Sequence, residues 1–284
     1  MNLADFNTVE KLLSSAGFTF KKSLGQNFLI DASVCPKMAE AACDKTTGVL
    51  EIGPGIGTLT CELAKTAKRV VAIELDERLK QILPKTLSDF DNIKVIFGDA
   101  MKMDITEIIN QEFSDCSRVC VCANLPYYIT SPIIMHLLES RLPIESITVM
   151  VQKEAAERLC AKVGTREAGA VTVAVEYFAE SEILFGVPSS AFMPPPKVDS
   201  AVINLMVRKT PPIHLENEKE FFSFIKACFA QRRKTLVNTV SNSTNYDKDT
   251  LRNALSKLGI SETVRSEQLT LEQLATLFNS LYIQ

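Results

Sequence analysis

Over its first 200 residues the chain alternates short apolar runs with segments of helical spacing. The apolar runs, which are rich in β-branched residues, lie at 49–52, 70–74, 93–97, 119–122 and 147–151. Strands that are apolar at nearly every position are buried on both faces, which is typical of a parallel sheet covered by helices. The alternation therefore predicts an α/β domain built on a mostly parallel sheet.

The later part of the chain follows a different pattern. Two more apolar runs, 183–187 and 201–207, flank the proline-rich segment Met193-Pro194-Pro195-Pro196 and predict an antiparallel pair at the sheet edge. After Pro211-Pro212 the spacing predicts helices near 218–229, 233–240, 248–258 and 267–282. We therefore expect a seven-stranded α/β domain at 1–209 and a small all-helical domain at 210–284.

Composition excludes several classes of protein. Hydrophobic residues make up 46% of the 284 residues and charged residues 23%, which excludes wholesale disorder. No apolar stretch approaches the roughly 20 residues of a membrane span. The first 22 residues lack the apolar core of a secretory signal, so we expect a cytoplasmic protein. The eight cysteines form no Cys-x-x-Cys pair, which predicts reduced, mostly buried thiols and no metal site.

The net charge of −3 is unevenly distributed along the chain. Residues 1–204 hold 20 Lys+Arg against 26 Asp+Glu, whereas residues 205–284 hold 11 against 8. Basic residues gather at Lys21-Lys22 and at Arg232-Arg233-Lys234, which suits either phosphate contacts or a solvated helix face. On charge alone, the solvated helix face is the favoured interpretation.

The most informative segment is Glu51-Ile52-Gly53-Pro54-Gly55-Ile56-Gly57, at a predicted junction between a strand and a helix. Glycines at such a junction let the backbone pass close to a ligand and turn sharply into the helix. The dinucleotide fingerprint Gly-x-Gly-x-x-Gly would place its third glycine at Thr58, but here that glycine comes one residue earlier. The spacing therefore argues against a nicotinamide dinucleotide.

Acidic residues follow the next two predicted strands. Glu74 ends the second, where a carboxylate can accept hydrogen bonds from ribose hydroxyls, and Asp99 ends the third, where it can face an adenine amine. Carboxyl ends of parallel strands meet in one crevice, so these groups predict a site for adenosine carried on something other than a pyrophosphate. The alternative is tight turns with solvated carboxylates. The combined pattern resembles the class I, Rossmann-like methyltransferases, whose cofactor is S-adenosylmethionine.

The fourth predicted strand ends in Asn124-Leu125-Pro126-Tyr127. The exocyclic amine of adenine is a poor nucleophile because its lone pair is delocalised into the ring. Acceptors on the Asn124 side chain and the Leu125 backbone carbonyl would oppose that delocalisation, while Pro126 fixes the turn and Tyr127 stacks on the base. The segment resembles the (Asn/Asp)-x-Pro-(Tyr/Phe) motif of amine-methylating methyltransferases. Taken without the glycine segment, it would suit an ordinary turn equally well.

Three longer motifs narrow the resemblance. They are Lys22-Ser23-Leu24-Gly25-Gln26-Asn27-Phe28-Leu29, Phe192-Met193-Pro194-Pro195-Pro196-Lys197-Val198-Asp199-Ser200-Ala201 and Gln231-Arg232-Arg233-Lys234-Thr235-Leu236. From about residue 20 to its end, the chain resembles the bacterial 16S ribosomal RNA adenine N6,N6-dimethyltransferases, in the ribosomal RNA adenine methyltransferase family.

The resemblance implies a function and a set of site residues. Enzymes of this family dimethylate two adjacent adenosines near the 3′ end of 16S ribosomal RNA within an immature 30S subunit, and we expect a monomer. The residues implied to contact the cofactor are Asn27, Leu29, Gly53, Gly55, Glu74, Asp99 and Asn124. Phe192 is implied to form the second face of an aromatic sandwich with Tyr127; the alternative is a core phenylalanine before a proline turn.

Recognition of the correct adenine requires docking outside the crevice, because an aromatic sandwich would hold any adenine. The predicted RNA-docking residues of the helical domain are Lys226, Arg232, Arg233 and Lys234. Helical spacing aligns Lys226 with Arg233 and turns Arg232 about 100° away. At least one of these arginines is therefore also a candidate for capping or pairing within the domain.

Three alternatives remain open at the level of sequence. A large-subunit ribosomal RNA adenine methylase shares the Gln-Asn-Phe segment and the Asn-x-Pro-Tyr turn, but the Pro-Pro-Pro-Lys-Val-Asp-Ser and Arg-Arg-Lys-Thr-Leu segments favour the small-subunit enzyme. A DNA adenine methyltransferase would more often carry proline where Leu125 stands. A ribosome-assembly factor with lost catalysis is disfavoured by the intact segments 51–57 and 124–127.

Overall fold

The structure is a computed structural model that describes residues 1–15, 17–18 and 27–282. The basic pair Lys21-Lys22 and the motif residues 22–26 lie outside the described residues. The strands of the described chain are β1 (Phe28–Leu29), β2 (Thr47–Ile52), β3 (Arg69–Glu74), β4 (Ile93–Phe97), β5 (Arg118–Asn124), β6 (Ser146–Gln152), β7 (Ala179–Val187), β8 (Phe192–Met193) and β9 (Ser200–Val207). Its α-helices are α1 (Phe6–Ser15), α2 (Val34–Ala42), α3 (Thr58–Thr66), α4 (Leu83–Thr86), α5 (Ile105–Glu112), α6 (Thr130–Glu139), α7 (Lys153–Leu159), α8 (Ala170–Phe178), α9 (Glu218–Cys228), α10 (Leu236–Ser243), α11 (Lys248–Lys257) and α12 (Leu271–Tyr282).

Seven of these strands form one sheet in the order β4-β3-β2-β5-β6-β9-β7. Pairing is parallel between β2 and β3, β2 and β5, β3 and β4, and β5 and β6, while β9 runs antiparallel to β6. All six residues of β2 are buried, so both faces of the sheet are covered at its centre. The predicted seven-stranded, mostly parallel sheet is confirmed.

The order of the strands determines where a ligand site is expected. From β2 the chain adds β3 and β4 on one side and then continues with β5 on the other side. Such a reversal leaves a crevice at the carboxyl ends of the two central strands, where open α/β sheets bind ligands. The residues that follow β2 and β5 are Gly53 and Leu125.

Backbone contacts divide the chain into two compact units, Met1–Ala156 with Glu182–Val207, and Glu157–Ser181 with Arg208–Gln284. This division differs from the predicted boundary at residue 210, because residues 157–181 group with the C-terminal helices. The reason is aromatic packing: the Tyr177 ring lies 5.4 Å from that of Phe222, and its hydroxyl donates to Glu218 at 2.9 Å. Such long-range contacts leave no local signal in the sequence.

The N-terminal residues belong to the core of the first unit. Val9, Leu12 and Leu13 of α1 are buried in a cluster that also contains Phe28 and Ile56. Helix α1 therefore packs beneath residues of the predicted cofactor segments, which gives a structural role to a region that the motifs do not explain. Among the described residues, no helix has both the length and the apolar character needed to cross a membrane.

Candidate active site

A cavity of about 1230 Å³, open mouth included, lies at the carboxyl ends of the central strands in the first unit. All the predicted cofactor and catalytic residues line it, namely Asn27, Leu29, Gly53, Gly55, Glu74, Asp99, Asn124, Leu125, Pro126, Tyr127 and Phe192. The structure therefore brings together in one cavity residues that the sequence distributes over several strand ends.

The glycine loop after β2 follows the backbone path that its sequence predicts. Gly53 has φ +72°, and its N–H donates to the carbonyl oxygen of Ile73 at 2.9 Å. A Cβ atom at Gly53 would meet no atom within 4 Å, so this backbone faces open cavity. At Gly55, with φ +59°, a Cβ atom would lie 3.2 Å from the Phe28 ring. Left-handed backbone at both positions favours glycine.

Glu74 is held in place by the backbone of neighbouring loops. Its carboxylate accepts hydrogen bonds from the N–H of Gly55 at 3.1 Å and from the N–H of Asp76 at 2.7 Å. Burial raises the pKa of Glu74, and these two N–H groups act in the opposite direction. A carboxylate has about four acceptor positions, so acceptor capacity remains for the hydroxyls of a ribose.

Glu51 is a cavity residue that we did not single out as a ligand from the sequence. Its side chain is 1% exposed, and among the described residues its Oε2 atom has no hydrogen-bond partner. Burial, reinforced by the nearby charge of Glu74, raises the pKa of Glu51 to about 8. A buried acceptor without a partner suits a ligand that brings N–H donors or positive charge. The signal in the sequence was a single carboxylate inside an otherwise apolar strand.

Asp99 lies at the edge of the cavity. Its Oδ1 atom accepts a hydrogen bond from the Met101 N–H at 3.0 Å, and its Oδ2 atom lies 3.3 Å from the Lys102 ammonium. The side chain is 32% exposed. The carboxylate therefore keeps acceptor capacity for a ring amine that enters from the open side.

The turn after β5 presents the predicted catalytic groups. Leu125 is 2% exposed and anchors the turn, and the Pro126 carbonyl accepts hydrogen bonds from the Ile129 N–H at 3.1 Å and the Thr130 hydroxyl at 3.3 Å. The Asn124 side chain forms no hydrogen bond with the described residues. The Asn124 carbonyl oxygen is therefore available to a ligand in the cavity.

The two aromatic residues are held on separate elements. The Tyr127 hydroxyl is hydrogen bonded to the Ser200 hydroxyl at 2.7 Å. Phe192 pairs with Leu29 between β8 and β1, is 3% exposed and belongs to a core cluster, yet its ring also lines the cavity. Phe192 is therefore a core residue that also borders the cavity, and its role in an aromatic sandwich stays a prediction.

The groups that line this cavity fit S-adenosylmethionine. The orphaned Glu51 oxygen suits a cationic amine, the open backbone at Gly53 admits a ligand, and Glu74 offers acceptors for hydroxyl groups. Within the described ranges, no group of three or more His, Cys, Asp or Glu side chains is arranged to hold a metal ion.

The predicted RNA-docking residues lie in the second unit, but the helical alignment predicted for two of them is wrong. Helix α10 begins at Leu236 rather than near residue 233, and Lys234 closes a turn by donating its N–H to Gln231 at 3.0 Å. The helical alignment of Lys226 with Arg233 therefore does not apply. Lys226, on α9, is exposed, as are the three basic residues of the turn.

Arg232 has a structural role. Its Nη2 atom donates to the carbonyl oxygen of Arg166 at 2.6 Å and lies 3.4 Å from that of Ala168. One arginine of the cluster is thus used to order a loop of its own unit. The side chains of Arg233 and Lys234 form no hydrogen bond or ion pair with the described residues and remain available to a partner.

Comparisons with known proteins point to the same family as the sequence motifs. A family model described as ribosomal RNA adenine dimethylase matches residues 17–282. A curated relative from Geobacillus thermodenitrificans, called ribosomal RNA small subunit methyltransferase A, is 48% identical over 284 residues and covers 99% of this chain and 97% of the relative. A relative of the same name from Bacillus cereus (strain B4264) is 46% identical over 286 residues, with 99% and 98% covered.

Two solved structures share the fold over most of the chain. A dimethyladenosine transferase from Plasmodium falciparum has a TM-score of 0.72 and 29% identity, covering 89% of this chain and 98% of that one. The 23S rRNA methyltransferase ErmE has a TM-score of 0.66 and 29% identity, covering 90% and 100%. As its motifs predict, the chain belongs to the ribosomal RNA adenine dimethylase family of methyltransferases.

Proposed function

We propose that the chain dimethylates the N6 amines of two adjacent adenosines near the 3′ end of 16S ribosomal RNA, with S-adenosylmethionine as methyl donor. It acts as a monomer on an immature 30S subunit in the cytoplasm. The observation that carries this proposal is the single cavity that joins the Asn124 turn to the glycine loop and the acidic strand ends. The small-subunit names of the relatives at 46–48% identity support the choice of ribosomal subunit.

The cofactor end of the cavity is assigned residue by residue. When bound, S-adenosylmethionine supplies an electrophilic methyl group on a positively charged sulfur. Glu74 holds the ribose hydroxyls and Asp99 the adenine amine, each by acceptor oxygens that the protein leaves available. Gly53, Gly55, Asn27 and Leu29 would hold its methionine end, and Glu51 would accept hydrogen bonds from its ammonium group. Titration calorimetry tests this assignment: the chain should bind S-adenosylmethionine, and saturable binding of NAD would contradict it.

The target amine is activated by acceptors rather than by a general base. The carbonyl oxygens of the Asn124 side chain and the Leu125 backbone accept hydrogen bonds from the two N–H groups of the adenine amine. The lone pair of the amine nitrogen is then directed at the methyl group. As the new N–C bond forms, the bond between the methyl carbon and sulfur would break with its electron pair left on sulfur, and S-adenosylhomocysteine would be the leaving group. The methylated nitrogen would carry a positive charge and lose a proton to water, because a neutral amide cannot accept it. A second cycle on the same nitrogen completes the dimethylation.

The RNA has to present its adenine outside the stack. An adenine inside a stacked strand cannot reach the cavity, so it is splayed out and held by Tyr127 and Phe192. Each stacked face contributes about 1–3 kcal/mol. Lys226, Arg233 and Lys234 supply phosphate contacts in the second unit, and Arg232 orders the loop beside them.

One experiment separates this function from its nearest alternative. Purified 30S particles and 50S precursor RNA would each be incubated with the chain and labelled S-adenosylmethionine, followed by mass spectrometry of the nucleosides. We expect N6,N6-dimethyladenosine in 16S RNA alone. Label in 23S RNA would instead support the activity named for ErmE, and label in neither would contradict both. Sedimentation equilibrium tests the monomeric state.

A further inference from the structure

Two residues near the end of the Phe192–Ala201 motif, Asp199 and Ser200, have no role in the function proposed above. Ser200 begins β9, is 1% exposed and pairs with Gln152 at the end of β6. Its hydroxyl is hydrogen bonded to the Tyr127 hydroxyl at 2.7 Å. Because Tyr127 lies in a turn outside the sheet, this bond attaches its ring to a rigid, buried strand.

The neighbouring residue, Asp199, supports the segment that leads to the other aromatic residue, Phe192. The Asp199 Oδ1 atom accepts a hydrogen bond from the Ser189 N–H at 2.9 Å. Ser189 begins a single 3₁₀ turn, Ser189–Ala191, that leads directly into Phe192. The Asp199 carbonyl oxygen in turn accepts from the Lys153 N–H at 3.0 Å, which holds this residue at the end of β6.

Phe192 is also held from the opposite side. The carbonyl oxygen of Ala191 accepts a hydrogen bond from the Ile30 N–H at 2.8 Å, and Phe192 pairs with Leu29. The segment before Phe192 is therefore fixed between β1 and Asp199. Asp199, just before β9, therefore fixes the turn that leads into Phe192, and Ser200, the first residue of β9, fixes the Tyr127 ring.

We propose that Asp199 and Ser200 are positioning residues that set the gap between the Tyr127 and Phe192 rings and so orient the target adenine. This inference rests on the proposed function. A base held between two faces keeps its amine in line with the methyl group only while both faces keep their places. The second methyl transfer is the more demanding, because a monomethylated amine is bulkier and presents a single N–H.

The test removes the hydrogen bond between the Ser200 and Tyr127 hydroxyls. Ser200→Ala should lower kcat on 30S particles by about 10-fold, since small misplacement of reacting groups is costly. The KM for 30S particles and the affinity for S-adenosylmethionine should stay unchanged, and the ratio of monomethyl- to dimethyladenosine should rise. Tyr127→Phe removes the same bond, so the double variant should be no slower than the slower single variant.

Two further variants make the experiment specific. Asp199→Ala should raise the same product ratio, whereas Asp199→Asn, which keeps an acceptor oxygen, should restore it. Ser146→Ala is the matched control, because Ser146 is a 6% exposed serine at the opposite end of β6. Rates are normalised to the number of cofactor-binding sites found by calorimetry, so that a partly unfolded variant is not mistaken for a slow one.

The outcomes distinguish this inference from the proposed function. A wild-type chain that leaves 30S particles unmethylated contradicts the proposed function itself. A wild-type chain that methylates them, together with Ser200→Ala at unchanged kcat and product ratio, overturns only the positioning role. Equal losses in Ser200→Ala and Ser146→Ala, or multiplicative losses in the double variant, overturn it as well.

Discussion

Single residues of the same type behave differently in this cavity because their surroundings differ. Glu74 and Glu51 are both buried glutamates, but Glu74 accepts two backbone N–H bonds whereas Glu51 has an oxygen without a partner among the described residues. Burial, together with the nearby charge of Glu74, raises the pKa of Glu51 to about 8. The protein therefore supplies hydrogen-bond donors to Glu74, whereas a ligand has to supply the donor for the free oxygen of Glu51.

The ionisation of Glu51 makes stability depend on pH. Its folded-state pKa of about 8 lies above the ordinary value of 4.5, so folding takes up a proton between these limits. The stabilising contribution is complete below pH 4.5 and is lost as the pH rises through about 8. The unfolding free energy of the wild type should therefore fall as the pH rises from 5 to 8. That of Glu51→Gln should fall by about 2–4 kcal/mol less over the same range.

Urea denaturation of the cofactor-free chain at several pH values measures this effect. Glu40→Gln is the matched control, because Glu40 is an exposed carboxylate of the same unit. The Glu40 variant should retain the wild-type pH dependence. The assignment would be wrong if Glu51→Gln and the wild type lost equal stability over the same range.

Asn124 is expected to matter for the chemical step more than for the fold. Asn124→Ala removes an acceptor from the reacting amine and should lower the rate by about 10²–10³, the usual cost of losing one preorganised polar group. Single-turnover methylation at saturating cofactor measures that step. Asn110→Ala, at an exposed amide of α5, serves as the control and should react normally. A wild-type rate for Asn124→Ala would refute the role.

Among the secondary-structure elements, helix α1 has a role that the family motifs do not cover. Its buried face shares a cluster with Phe28 and Ile56, and both of these residues also line the cavity. Packing of α1 therefore supports the wall of the cavity from behind. Disturbing the helix should affect both the stability of the first unit and its affinity for the cofactor.

Leu13→Ala tests the contribution of this helix. Leu13 is 3% exposed, and its truncation should lower the unfolding free energy by about 2–4 kcal/mol. Affinity for S-adenosylmethionine should fall as well, because the cavity wall loses support. Denaturation and calorimetry measure the two quantities. Lys11→Ala, on the exposed side of α1, should change neither; an unchanged stability in Leu13→Ala would show that α1 is not part of the core.

At the scale of the whole molecule, chemistry and docking are assigned to different units. The cavity residues all belong to the first unit, and the available basic residues of the turn belong to the second. Cofactor binding and particle binding should therefore respond to different substitutions. An aromatic sandwich has no preference among adenines, so we propose that the second unit carries the choice of site.

Arg233→Glu should weaken binding to 30S particles and reduce the slope of log affinity against log salt by about 1, as loss of a phosphate contact does. S-adenosylmethionine binding should be unchanged. Filter binding across a salt series measures affinity and slope together. Lys257→Glu makes the same charge reversal on α11 of the same unit and should have little effect. An unaltered slope in Arg233→Glu would exclude this turn from the docking surface.

The sequence by itself determined the features that depend on neighbouring residues. The apolar runs predicted the strands of the sheet, the glycine segment predicted a sharp turn into a helix, and Asn124 to Tyr127 predicted a turn after a strand. The contacts that the local sequence patterns did not specify join distant residues. Arg232 binds carbonyls more than 60 residues away, residues 157–181 pack with later helices, and Ser200 meets Tyr127 across the sheet. Glu51 belongs with these, because its raised pKa comes from burial and from the charge of Glu74. Periodicity and turn preferences are local, whereas burial and hydrogen-bond partners exist only after the chain has brought its separate segments together.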